Sequence, residues 1–188
     1  MKKVWIVLIV IGVVVLGLVG WFVKGLNTAV IFDENVNQAW SQVENQLQRR
    51  NDLIPNLVNT VKGYMTHERG TFTRITELRS QWAKAKTTGQ KIKTANQITG
   101  ALSKLLLVAE NYPQLKASQN FLTLQAQLEG TENRIAVERM RYNQAVRGFN
   151  AYQRTVFGRL FTNLRGLTEP RVNFEAEESA REVPKVKF

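Results

Sequence analysis

The run from Val4 to Val23, VWIVLIVIGVVVLGLVGWFV, carries no charged residue and limits what this chain can be more than any other stretch. A helix of that length covers about 30 Å, the thickness of a bilayer's hydrocarbon core. Inside lipid no water satisfies backbone N–H and C=O groups, so a spanning segment of this kind is helical. Trp5 and Trp21 stand near its ends, where indoles favour the headgroup level, and Lys3 and Lys24 bound it. A cleaved signal peptide is the rival, but its apolar core is normally shorter and followed by small residues. Here the run ends in the bulky Trp21, Phe22 and Val23, so an uncleaved single-pass anchor over 1–25 is expected. The chain has no cysteine, which excludes acylation of the lipoprotein type. Lys2 and Lys3 precede the run and only Lys24 follows it closely, which favours a cytoplasmic N-terminus and a body on the far side.

The remaining stretch, roughly 160 residues, is enough for one domain with a real core. Prolines and glycines are sparse, and no strand-like alternation bounded by turn clusters appears. The expected fold is all-α: the anchor, then an elongated, antiparallel, coiled-coil-like helical bundle over 26–166, then a mostly extended tail over 167–188. The clearest pattern advances by alternating four and three residues: Val36, Trp40, Val43, Leu47, Arg50, Ile54, Leu57, Val61, Tyr64, Glu68, Thr71, Ile75, Leu78, Trp82. Only Arg50, Glu68 and Thr71 of these are neither apolar nor aromatic, so the pattern marks a seam of side-by-side helices. Its phase does not slip at Pro55. That favours one long helix bent at Pro55, at a cost of about 3 kcal/mol that packing offsets, over a new helix starting there behind an Asn51-Asp52 cap.

Residues 87–90, TTGQ, read as a loop. A shorter helix follows with Ala95, Ile98, Leu102, Leu105 and Ala109 on one face, and Pro113 stops it because proline disfavours helix in the residue before it. A last long helix carries Phe121, Leu124, Leu128, Thr131, Ile135, Glu138, Tyr142, Ala145, Phe149, Tyr152 and Val156 on its seam. Gly158 is expected to fray it, before a short amphipathic turn with Phe157, Leu160, Phe161 and Leu164.

Several stretches resemble the LemA family of bacterial membrane-anchored helical proteins. They are AWSQVENQLQRRNDLIPNLVNTVKGY at 39–64, ENYPQLKASQNF at 110–121, ENRIAVERMRYNQAV at 132–146 and FEAEE at 174–178. The resemblance implies a short N-terminal membrane anchor and an elongated antiparallel bundle in a bacterial protein; together with the lysine flanks this gives the expectation of a single-pass protein of the bacterial inner membrane with its body on the periplasmic side. Where the family pattern breaks the last helix with Phe-Pro, this chain has Phe157-Gly158.

Catalysis has little to draw on. His67 is the one histidine, and no second histidine lies four residues on, so a helical zinc site of that type is excluded. No glycine-rich phosphate loop, GxSxG elbow or EF-hand spacing occurs. Asp33-Glu34 and Glu177-Glu178 are neighbouring carboxylates on solvated segments. The chain therefore reads as a non-enzyme with no cofactor and no metal.

The most unusual polar group is Arg49, Arg50, Asn51 and Asp52 with Pro55 and Asn56. It is either a docking or anion-binding spot at a bend, or a repair of the backbone that Pro55 interrupts, and the repair is favoured. Arg50 and Glu138 both occupy seam positions. If the long helices run antiparallel with Val36 near Tyr152, Arg50 meets Glu138 and a buried pair fixes the register.

The formal net charge is +11. Arg134, Arg141, Arg147 and Arg154 form a candidate basic face, and the tail reverses the sign with Glu175, Glu177, Glu178 and Glu182. A tethered, outward-facing body argues against nucleic acid as partner. Lipid headgroups attract only charges within a Debye length, about 8 Å at physiological salt. The favoured reading is a solvated face with positive bias, and the other is contact with the acidic segments 169–182 of a neighbouring copy or with an acidic partner. The sequence thus points to a membrane-tethered, non-catalytic scaffold of the cell envelope that self-associates into a homo-oligomer. The alternatives are an adaptor presenting partners, such as another envelope protein, to a membrane protease or transporter, and an anionic-lipid-binding membrane remodeller.

Overall fold

The computed structural model describes residues 2–65 and 68–175, and every regular element among them is an α-helix. α1 runs Lys2–Lys62, α2 Arg69–Lys84, α3 Thr88–Ala109, α4 Pro113–Lys116, α5 Gln119–Arg154 and α6 Val156–Leu164. This is the helical bundle with a long apolar N-terminal helix that the hydrophobic pattern predicts. His67, Glu177, Glu178 and Glu182 lie outside the described residues. α1 is long and apolar enough to cross a membrane, and side chains 3–24 are all exposed. The chain divides into two compact units, one of Met1–Trp40 with Asn143–Arg171 and one of Ser41–Tyr142 with the chain from Val172 onward.

In the first unit α1 and α5 run antiparallel. Tyr152 Oη donates to the Gly25 carbonyl at 3.2 Å, and the Phe32 ring stacks on Tyr152 with centroids 5.0 Å apart. Further along α1's direction, Phe32 also reaches Gly148, an earlier position of α5. α5 ends at Arg154, where Thr155 caps a new helix and accepts from Gly158 N at 3.0 Å. Gly158 therefore lies inside α6 and does not fray α5. A Cβ at Gly158 would overlap the Tyr152 carbonyl, so the tight passage from α5 to α6 requires glycine. Past α6 the chain is extended and held by amide side chains of α5. Asn150 accepts from Arg171 N and donates to Arg171 O, both at 2.9 Å, while Gln153 donates to the Leu167 and Thr168 carbonyls.

In the second unit α1 passes through Pro55 without interruption. The seam beyond it does not continue as one helix to Trp82. α1 stops at Lys62, the chain turns at Gly63 and Tyr64, and Met65 N donates to Val61 O at 2.9 Å with its side chain fully buried. α2 then buries Phe72, Ile75, Leu78 and Trp82. The physical reason lies in the seam itself: Glu68 and Thr71 offer too little apolar surface to hold that register, and Phe72 enters the core in place of Thr71.

Residues 87–90 are not a loop. Thr87 caps α3, its hydroxyl accepting from Gln90 N while the Gln90 side chain accepts from Thr87 N, which fills two of the helix's orphan donors. Ala95, Ile98, Leu102, Leu105 and Ala109 are all buried along α3, as the periodicity predicts. α4 begins at Pro113, where proline suits a first helical turn.

Candidate functional site

The second unit buries a charged centre. Arg50 has no solvent-exposed surface, although a lone guanidinium pays heavily for leaving water. Its Nη1 donates to Thr99 Oγ1 at 2.7 Å and to Glu132 Oε1 at 2.9 Å, and its Nη2 donates to the Ala95 carbonyl at 3.0 Å. One side chain of α1 thus ties α3 and α5 together. Glu132 keeps about a third of its side chain in solvent, opening on a groove lined by Thr99, Leu102, Ser103 and Leu128. Arg50 Nε is buried without an acceptor.

Arg139, a second guanidinium one helix turn pair along α5 from Glu132, is half-buried and lies over the Phe174 ring with its Cζ 4.0 Å from the centroid. Its Nε and Nη2 are buried without acceptors. Burial and then the neighbouring Arg50 lower its pKa from the ordinary arginine value to about 10, while Glu132 pulls the other way. Two cations therefore share one carboxylate, an arrangement that costs stability and fixes which residues can meet.

Beside this centre, Pro55 leaves a mark. Proline has no N–H, so the carbonyl of Asn51, four residues earlier, loses its intrahelical donor. Arg79 of α2 supplies one: its Nε donates to Asn51 O at 3.1 Å. The backbone is repaired from the next helix rather than by the polar group around Pro55. Asn51 is buried, and its side-chain Nδ2 and Oδ1 have no partners. Arg49, Asp52 and Asn56 are exposed, Pro55 is half-buried, and Asp52 accepts from Gln48. Of the predicted group, only Arg50 and Asn51 enter the core.

Arg50 does not pair with Glu138. Glu138 accepts from Arg141, three residues on, at 2.8 Å. The predicted register assumed that seam positions meet seam positions, whereas the long arginine side chain reaches Glu132, which flanks the seam beside Thr131. Thr99, Glu132, Arg139, Arg79 and Phe174 are the partners that sequence reasoning missed. The acidic Glu132 opening the ENRIAVERMR stretch was the one available signal. Arg134, Arg141, Arg147 and Arg154 are all exposed. Spaced by seven, Arg134 and Arg141 share a side of α5 in the second unit, and Arg147 and Arg154 share one in the first. Lys3, Trp5, Trp21 and Lys24 are exposed along α1.

Among the described residues no three His, Cys, Asp or Glu side chains converge as a metal site would need. The family model for the LemA family matches residues 39–188. The chain belongs to the LemA family. A curated relative, Protein LemA of Metamycoplasma hominis (strain ATCC 23114), is 26% identical over 144 residues, which cover 74% of this chain and 64% of the relative. The chain thus spans just under two thirds of that relative's length. The matched LemA region takes in the Arg50 centre, Pro55 with its Arg79 repair, and all of α2 through α6.

Proposed function

We propose that this LemA-family protein is a membrane-tethered, non-catalytic scaffold of the bacterial envelope that self-associates through its helical body. The observation carrying the reading is that α1 is one uninterrupted helix holding both the apolar run and the core positions Val43, Leu47, Ile54 and Leu57. An anchor built this way is part of the fold, and not a detachable address. The polar residues with unusual character, Arg50 above all, are consumed by contacts inside the protein. Arg134, Arg147 and Arg154 face outward without ion-pair partners among the described residues, so acidic segments of a neighbouring copy have cations to meet.

Sedimentation of the full chain in detergent across concentration and salt tests the reading. Self-association that weakens as salt rises is expected, since contacts between exposed charges are screened. A monomer at every concentration and salt overturns it. Cross-linking that recovers another envelope protein at fixed stoichiometry, with weak self-association, would favour the adaptor instead.

A further inference from the structure

α6 has an apolar face that the rest of the first unit leaves largely exposed. Taking about 100° per residue, Val156, Leu160, Leu164 and Phe157 fall within an arc of about 100°, while Phe161, Gly158 and Thr162 occupy the buried side. Arg159 and Asn163 complete the wheel between them. Val156 is 83% exposed, and Phe157 and Leu164 are each 57% exposed, high values for apolar side chains so close to a packed aromatic cluster.

That cluster fixes where the face lies. Trp21 meets Phe157 and Phe161 edge-on, with centroids 5.1 and 5.5 Å apart, and Phe22 meets Phe161 at 5.6 Å. A Cβ at Gly25 would overlap the Phe161 ring, so glycine there lets α6 sit directly on α1. Trp21, Phe22 and Gly25 mark the end of the apolar run, where the indole belongs at the headgroup level. The uncovered arc is therefore continuous with the apolar surface of α1. Its flanks are cationic: Lys24, Arg154, Arg159 and Arg165 are exposed, and no acid occurs from Arg139 to Thr168.

We infer that α6 is an interfacial membrane-docking helix. Resting on the reading that α1 spans a bilayer, it places Val156, Phe157, Leu160 and Leu164 at the boundary between headgroups and acyl chains, and Arg154, Arg159 and Arg165 against lipid phosphates. Amphipathic helices of this type bury their apolar face about 5–10 Å into that boundary. The juxtamembrane arginines lie within the short range over which an anionic surface attracts cations, unlike those farther along α5. The protein would then grip the membrane twice, once through it and once along it.

The absence of cysteine makes the test direct. Full-length single-cysteine variants Ile11→Cys, Leu160→Cys, Leu164→Cys, Asn163→Cys and Val137→Cys carry a nitroxide, with one copy per nanodisc of phosphatidylethanolamine and phosphatidylglycerol. Collision with oxygen and with a water-soluble nickel chelate reports depth. The expected result is a deep label at Ile11, intermediate depth at Leu160 and Leu164, and aqueous labels at Asn163 and Val137. Leu160 and Leu164 as aqueous as Val137, with Ile11 still deep, overturns the α6 inference and leaves the anchor standing. A label at Leu160 shielded from both oxygen and nickel also overturns it, because protein then covers the face. An aqueous Ile11 removes the anchor and the inference together. These positions are exposed, so the variants keep the helical fold, and circular dichroism checks that they do.

Discussion

Two regions of this chain solve the same packing problem with opposite chemistry. Around Trp21 the first unit joins its helices through rings, Trp21, Phe22, Phe157 and Phe161, with Tyr152 and Phe32 nearby. Around Arg50 the second unit joins three helices through a single guanidinium and its acceptors on Thr99, Glu132 and Ala95. Rings tolerate displacement, because dispersion and quadrupole contacts fall off smoothly with geometry. A buried guanidinium does not, because each donor that loses its acceptor is left desolvated. The extended segment after α6 uses both chemistries. In the first unit Arg171 makes a part-buried pair with Asp33, its Nε donating at 3.1 Å, while in the second Phe174 lies under Arg139. Beside the apolar run the helices are joined through rings, and around Arg50 through a guanidinium.

The sharpest way to break that comparison is Arg50→Met. The substitution roughly keeps the volume and removes the three hydrogen bonds by which Arg50 holds α3 and α5, leaving Glu132, Thr99 and the Ala95 carbonyl to find other partners. A loss of about 3 kcal/mol is expected, at the low end for breaking a buried pair because Glu132 keeps some solvent. Thermal or denaturant unfolding of the detergent-solubilised chain measures it. A loss below about 1 kcal/mol, the usual size of a solvent-exposed pair, would mean that the centre is ornamental.

In the first unit the corresponding change is Phe161→Ala. In a water-soluble core such a truncation costs about 3–5 kcal/mol, much of it for the cavity left behind. With α1 spanning a bilayer, as proposed, the neighbours Trp21 and Phe22 lie at the end of the apolar run, where acyl chains can fill the space. The aromatic-pair contribution then dominates and about 1–1.5 kcal/mol is expected. Unfolding in lipid nanodiscs against the wild type reads it out. A cost equal to that of Arg50→Met would erase the distinction between the two regions.

Much of the architecture could be read from spacing because spacing is what helices answer to. The passage of α1 through Pro55 was legible in the unbroken phase on either side. The turn after Lys62 was legible too, in hindsight: of the seam positions that are neither apolar nor aromatic, Glu68 and Thr71 are consecutive and sit at the break. The α3 cap was written as Thr-x-x-Gln at 87–90, which a loop reading of glycine and threonine hid. Other parts leave no periodic trace. Arg79 serves the Asn51 carbonyl from 28 residues away, and no local pattern announces such a repair. Phe174 lies in an extended segment whose packing depends on where Arg139 falls. The Arg50 partner was missed because a seam argument places backbones, whereas arginine spans several ångströms beyond its own.

The finest test separates the two guanidiniums of the centre. Arg139 is the surplus cation: two of its nitrogens are buried without acceptors, and burial and Arg50 hold its pKa at about 10. Arg139→Met leaves Arg50 with Glu132 to itself and keeps an apolar side chain over Phe174. The variant is expected within about 1 kcal/mol of wild type and on the more stable side at pH 8, where both folded and unfolded Arg139 are charged. The pH dependence then carries the sign. Above about pH 10 the unfolded wild type, whose Arg139 keeps its higher ordinary pKa, binds more protons there than the folded protein, so its stability rises with pH relative to the variant. Tyr152, whose pKa burial raises above 10, works the other way, but it does so in both proteins and cancels in the difference. Stability measured by denaturant at pH 8 and again near pH 11 should therefore show the gap closing. A gap that widens, or an Arg139→Met as costly as Arg50→Met, would mean that the two arginines act as one unit and that neither is surplus.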